Sequence, residues 1–334
     1  MNWKKLVKYT VFLGVGVLLF SLAFSLVDDK EALWEAMRSA SWSGIGISFV
    51  MGYLAIVSRG LRWGMLLEPL GHRANVYHSI HSVAFAYFAN TFVPRSGELA
   101  RCAALNQTDD IPVDQLFGTV ISERVIDLIF LVLLTGIAVI GNLEAFSGLL
   151  GNTELPALSG AWPVGVAALV AVGVVYKWRE AIENWSLIQK AKLFLKGVYE
   201  GLMSIKNMQR KGAFLAHSFF IWFMYFGMAW VIFKSIDAVA EITVLQAIFI
   251  MVAGGFGMIM PAPGGIGAYH GAVMLGFVAL GYNEELGLAV ANVIWLTQTL
   301  MIVFTGGLAY LALMWYRIKK DRLTDSISKT QNHE

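Results

Sequence analysis

The chain has 334 residues, 57% of them hydrophobic and 14% charged, with a net charge of +2 and a mean hydropathy of +0.64. A soluble domain carries about 25% charged residues, so the composition excludes a soluble globular enzyme and describes an integral membrane protein. Its single cysteine, Cys102, excludes an intramolecular disulfide and a cysteine-based zinc site, and no nucleic-acid partner is expected.

A helix needs about 20 apolar residues to cross hydrocarbon. The first candidate, residues 6–27, is too long for a signal h-region and has no small-residue cleavage site after it, so it is predicted to be an anchor. Segments 43–67, 116–141, 162–178, 212–235 and 286–316 follow. Two further apolar regions, 77–106 and 242–281, are each long enough to enter and leave but are broken in the middle. The breaks are Pro94-Arg95-Ser96-Gly97-Glu98 and Pro261-Ala262-Pro263-Gly264-Gly265-Ile266-Gly267. Backbone groups freed by a break are tolerated at membrane depth only where protein or cavity water pairs them.

Loop charge sets sidedness. Lys4, Lys5, Lys8, the stretch 177–211 and Arg317, Lys319, Lys320 and Arg322 mark one side; the acidic or neutral loops 27–41, 142–161, 235–241 and 283–285 mark the other. Both termini are therefore expected in the cytoplasm, in a multi-pass protein of the cytoplasmic membrane. That assignment requires each broken region to return to its own side. The predicted fold is all-α and polytopic: about six transmembrane helices plus two oppositely oriented re-entrant helical hairpins. Residues 1–150 read span, span, hairpin, span; residues 151–324 repeat that order from the opposite side, an inverted-topology repeat that in transporters places the site at the matched breaks. The second repeat includes a basic amphipathic segment, 179–210, which either lies on the membrane surface or links the halves; residues 325–334 are polar and expected to be disordered.

Four groups of residues are candidates for chemistry. Arg59 and Arg62 share a helix face and can pair phosphate in bidentate fashion, or simply snorkel from a span end. At the first break, Asn90, Pro94, Arg95, Gly97, Glu98 and Arg101 combine helix-start amides with positive charge, a pattern that suits an anion. The alternative there is an ion-pair network that holds the hairpin shut. Glu123, Arg124 and Asp127 place two carboxylates beside one arginine on a span; they serve coupling or interhelical pairing, and the acid that Arg124 leaves over is expected to pair with Arg59, Arg62 or Arg95, or to titrate. At the second break, Pro261, Pro263, Gly264, Gly265 and Gly267 permit a tight turn and close approach, with His270 on the following helix either titrating or structural. His78 and His81 share a face but have no third ligand, so no metal and no other cofactor are expected.

These motifs, with Trp63 after Arg59-Gly60-Leu61-Arg62, resemble the flippase-like family named for the transmembrane region of lysylphosphatidylglycerol synthase, also described as dolichol-phosphate-glucose-synthetase-like. Their order and spacing cover roughly Ser43 to Trp315. The resemblance implies transbilayer movement of an anionic or aminoacylated phospholipid, or of an isoprenoid-linked lipid, with membrane lipids as partners and a separate lipid-modifying enzyme as a further candidate. Two departures stand out. Where family members commonly carry a glutamate after the Pro-Gly-Gly turn, this chain has His270, and no aminoacyltransferase domain follows, so synthesis of the lysyl lipid is not expected of it. No catalytic motif marks an enzyme. The alternatives are a membrane-embedded glycosyl or lipid transferase, for which Asp109-Asp110 is the local acidic candidate, a transporter of a small soluble anion, and a non-transporting scaffold in which every hairpin charge is paired internally.

The topology has a direct check. In a Cys102→Ala background, a cysteine at Asn283 should react with an impermeant thiol reagent from the non-cytoplasmic side; reaction from the cytoplasm alone would remove the inverted repeat.

Overall fold

The computed structural model describes residues 30–149, 208–260 and 262–331, and the regular secondary structure in them is helical. Four helices are long and apolar enough to cross a membrane, and they fall on four of the predicted spans: α2 (Trp42–Leu67), α5 (Val113–Gly141), α7 (Lys211–Lys234) and α10 (Glu284–Gln331). The expected spans 6–27 and 162–178, most of segment 179–210, and Pro261 lie outside the described residues. Between the spans lie α1 (Lys30–Ser39), α3 (Val76–Phe92), α4 (Gly97–Asp109), α6 (Leu143–Leu149), α8 (Val244–Ile259) and α9 (Ala268–Ala279).

Local chemistry sets the helix ends. Ser41 caps α2 by accepting from the Gly44 amide at 3.1 Å, and Asn75 caps α3 by accepting from Tyr77 at 2.9 Å. Pro94 forbids helical geometry in the residue before it, and Val93 is accordingly extended. Arg95 then takes a left-handed φ of 61°, which reverses the chain into α4. The Asn90 side chain accepts from the Gly97 amide at 2.7 Å and closes the hairpin. Gly97 is required for that closeness, because a Cβ there would lie 2.3 Å from the Ala86 carbonyl oxygen. In the second break Gly264, Gly265 and Gly267 all have positive φ, and the turn ends where α9 begins.

Each broken region thus folds as two helices packed on each other, α3 on α4 and α8 on α9. Their tips meet. Thr91 lies against Gly264, the Arg95 guanidinium donates to the Ile259 carbonyl at 3.2 Å, and the Trp295 indole donates to the Gly264 carbonyl at 2.7 Å. Around them α2 lies along α7, and α10 runs over both α3 and α9. One expectation is corrected: residues 325–331 are helical, not disordered. No proline or glycine follows Gly307, so nothing interrupts the hydrogen-bond ladder of α10. Earlier in that extension, Lys320 pairs with Asp110 at 2.6 Å and the Tyr316 ring lies 4.4 Å from His78, which ties the helix to the base of the first hairpin.

Gly97→Ala should lower the melting temperature in detergent, with overpacking strain of about 1–3 kcal/mol. Gly118→Ala, where a Cβ meets open space, should be neutral or stabilise by up to about 1 kcal/mol. Equal melting behaviour for the two variants would mean that α3 and α4 do not close on each other.

Candidate functional site

Arg59 and Arg62 stand one turn apart on α2, and their face points inward. Arg62 is fully buried and Arg59 is 5% exposed, so neither snorkels. Both meet the carboxylates of α5. Glu123, itself fully buried, takes Arg59 at 3.0 Å and Arg62 at 3.1 Å on Oε1, and Arg101 of α4 at 2.9 Å on Oε2. Asp127, one turn further along α5, takes Arg62 at 2.8 Å on Oδ1 and Arg59 on Oδ2. The acid expected to be left over by Arg124 is thus paired, by Arg59 and Arg62 together rather than by Arg95. Two acids hold three buried arginines, and no carboxylate is left over.

Arg124, the arginine expected to serve these acids, turns mostly away. It pairs with Glu98 of α4 at 2.7 Å near the surface and approaches Asp127 only to 3.8 Å. This rim pair is neutral by itself, which leaves the buried set of Arg59, Arg62, Arg101, Glu123 and Asp127 with one positive charge in excess. The donors confirm the excess. Arg62 Nε and both Nε and one terminal nitrogen of Arg101 have no hydrogen-bond acceptor among the described residues. Arg101 instead lies on the face of Trp63, 4.8 Å from the ring centroid, a contact that contributes about 0.5–2 kcal/mol. A buried charge without full pairing is costly.

Aromatic and hydroxyl groups complete the lining. Arg59 donates to the Tyr87 hydroxyl of α3, which shares a hydrogen bond of 2.8 Å with Tyr225 of α7. Arg62 donates to Ser218 at 3.0 Å. Tyr87, Ser218 and Tyr225 carry no sequence signal that sets them apart from other polar residues in apolar helices, and only packing brings them here. Other predicted residues do not join. Arg95 is exposed at the hairpin tip, while Asn90 and Gly97 are engaged with each other inside the hairpin. Pro263, Gly264, Gly265 and Gly267 form the opposing tip. His270, 1% exposed, accepts from the Gly267 amide at 3.3 Å, hydrogen-bonds Asn292 and packs on Trp295, which fits the structural reading of this residue.

A double-mutant cycle measures the imbalance. Glu123→Gln should destabilise the protein by about 3–5 kcal/mol, because it strands buried arginines. Arg101→Met should be neutral or stabilising, since it leaves two guanidiniums facing two carboxylates. The double variant should then be more stable than Glu123→Gln alone, with a coupling of about 0.5–3 kcal/mol; strict additivity in chemical-denaturation midpoints would show that the charges do not share one site.

The chain is 22% identical over 303 residues to a UPF0104 membrane protein of Methanothermobacter thermautotrophicus, covering 84% of this chain and 88% of that one. It is 27% identical over 126 residues to a UPF0104 membrane protein of Methanocaldococcus jannaschii, 37% of each chain. A 177-residue match at 27% identity to the glycosyltransferase AglD of Haloferax volcanii covers 49% of this chain and 28% of that protein. No solved structure matches. The family model for the lysylphosphatidylglycerol synthase TM region matches residues 11–330, so the chain belongs to that membrane-protein family.

Proposed function

We propose that this protein translocates an anionic lipid across the cytoplasmic membrane: a phospholipid, an aminoacylated phospholipid or an isoprenoid-linked lipid. One observation carries the reading. Three buried guanidiniums share two carboxylates beside a broken helical hairpin, and a single phosphodiester charge would bring the set to neutrality. Arginine suits that task because its planar fork matches phosphate oxygens. Matched breaks whose tips touch support a pathway at the interface of two inverted repeats, with both hairpins re-entrant and both termini cytoplasmic.

The competing readings fit the side chains less well. A metal-dependent transferase would draw on Asp109 and Asp110, yet Asp109 accepts from the Asn75 amide and pairs with His78, while Asp110 is held by Lys320. A scaffold would pair every charge internally, and Arg101 has donors to spare among the described residues.

The test is leaflet exchange in phosphatidylcholine liposomes that contain fluorescent phosphatidylglycerol, with dithionite quenching of the outer leaflet. The native protein should expose inner-leaflet label. Arg101→Met should slow exchange about tenfold or more, the equivalent of one lost charge-assisted hydrogen bond, while the protein melts no earlier than the parent. Native rates in Arg101→Met would remove the phosphate role. A protein that exchanges no lipid but releases entrapped inorganic phosphate would favour the soluble-anion reading.

A further inference from the structure

A groove with a volume of about 390 Å³ runs between α2 and α7 on the outward face of the bundle, within the size range of small-ligand pockets. Its walls are apolar, with Leu54 and Leu61 on one helix and Ala216 and Phe220 on the other. Small side chains on α7 open it: Ala213 and Ala216 project where longer residues would close the gap. Two polar groups break the apolar lining. Ser58, 3% exposed, and His217 share a hydrogen bond of 2.8 Å across the two helices, and no carboxylate lines the groove among the described residues.

That bond stands as a partition. The next residue on α2 is Arg59 and the next on α7 is Ser218, and both belong to the buried cluster, Ser218 as the partner of Arg62 at 3.0 Å. A Ser–His pair in an apolar groove between two membrane-length helices has poor surroundings, where polar groups must be satisfied by protein or ligand. Behind it lies an uncompensated positive charge. The floor therefore complements an occupant that carries both an apolar chain and an anionic head.

We propose that this groove is the lateral docking site of the lipid: one acyl chain lies between Leu54, Leu61, Ala216 and Phe220, and the phosphate meets His217 and Ser58 before it passes to Arg59 and Arg62. The assignment rests on the translocator reading and adds where its substrate enters. It makes the Ser58–His217 bond the step that opens, since either group can exchange its partner for a phosphate oxygen without leaving the groove.

The experiment reads binding rather than transport, so that the two readings fail separately. Purified protein is placed in phosphatidylcholine liposomes containing phosphatidylglycerol with a diazirine in one acyl chain, irradiated and mapped by mass spectrometry. Adducts should concentrate on the segments 54–61 and 213–220. Ala216→Trp, which fills the groove, should reduce them about tenfold, as expected when the burial of about two methylenes is lost, while Val132→Trp on the outward face of α5 should not. His217→Ala should retain adducts from a diacylglycerol probe of the same chain length but lose the preference for phosphatidylglycerol. Adducts spread evenly over the outward faces of α5 and α10, and unchanged by Ala216→Trp, would overturn the assignment, as would cysteine cross-links showing the groove filled by residues 6–27, by residues 162–178 or by a second copy. Groove labelling in a protein that exchanges no lipid would count against translocation and leave the docking site standing.

Discussion

Glu123 is the side chain around which α2, α4 and α5 are organised. It lies fully buried on α5 and is reached by two arginines from α2 and one from α4. A lone carboxylate at that depth would be expensive to ionise, and lone guanidiniums more so, because low dielectric removes the solvation that each enjoys in water. The three helices must therefore arrive together with their charges matched. Asp127 extends the same logic by one helical turn, and the neutral Arg124–Glu98 pair covers the cluster toward the surface.

The geometry of that meeting depends on the first hairpin. Arg101 reaches Glu123 only because α4 doubles back against α3, and α4 doubles back only because Pro94 halts α3 and Gly97 admits the Ala86 carbonyl. The second hairpin lies on a different core, built around Phe233, Phe249 and Phe277, and offers backbone rather than charge: the carbonyls of Ile259 and Gly264 receive Arg95 and Trp295. The two hairpins are thus alike in outline and unlike in chemistry. One holds a charged cluster at its base, and the other presents a glycine turn at its tip.

Much of the outer surface of α5 and α10 is apolar and exposed, with Val132, Leu133, Ile137, Leu308 and Leu311 all facing out. Such a continuous apolar exterior belongs against lipid. Against that background the Ser58–His217 pair on the α2–α7 face stands out as polar chemistry where hydrocarbon would otherwise be met.

The spans, the two breaks and the clustering of charge near them were legible in the sequence, because the bilayer imposes length and hydropathy on any crossing helix and because proline and glycine act on the backbone next to them. Ser43 to Leu67 was predicted as a span and α2 occupies Trp42–Leu67; Pro94 and Gly97 marked a turn that the structure places between Phe92 and Gly97. Pairing was legible only in part. Arg59 and Arg62 stood among the arginines that an acid left over on α5 would meet, but the i,i+3 spacing gave Asp127 to Arg124, and nothing pointed to Arg101 on Glu123. Local spacing fixes which side chains share a face, but which faces meet is set by the packing of distant helices. The same reason hid Tyr87, Ser218 and Tyr225, ordinary polar residues until three helices bring them beside one guanidinium pair. An anion was already suggested by Arg59, Arg62 and the basic first break; the excess of one positive charge in the buried set was decided by tertiary structure.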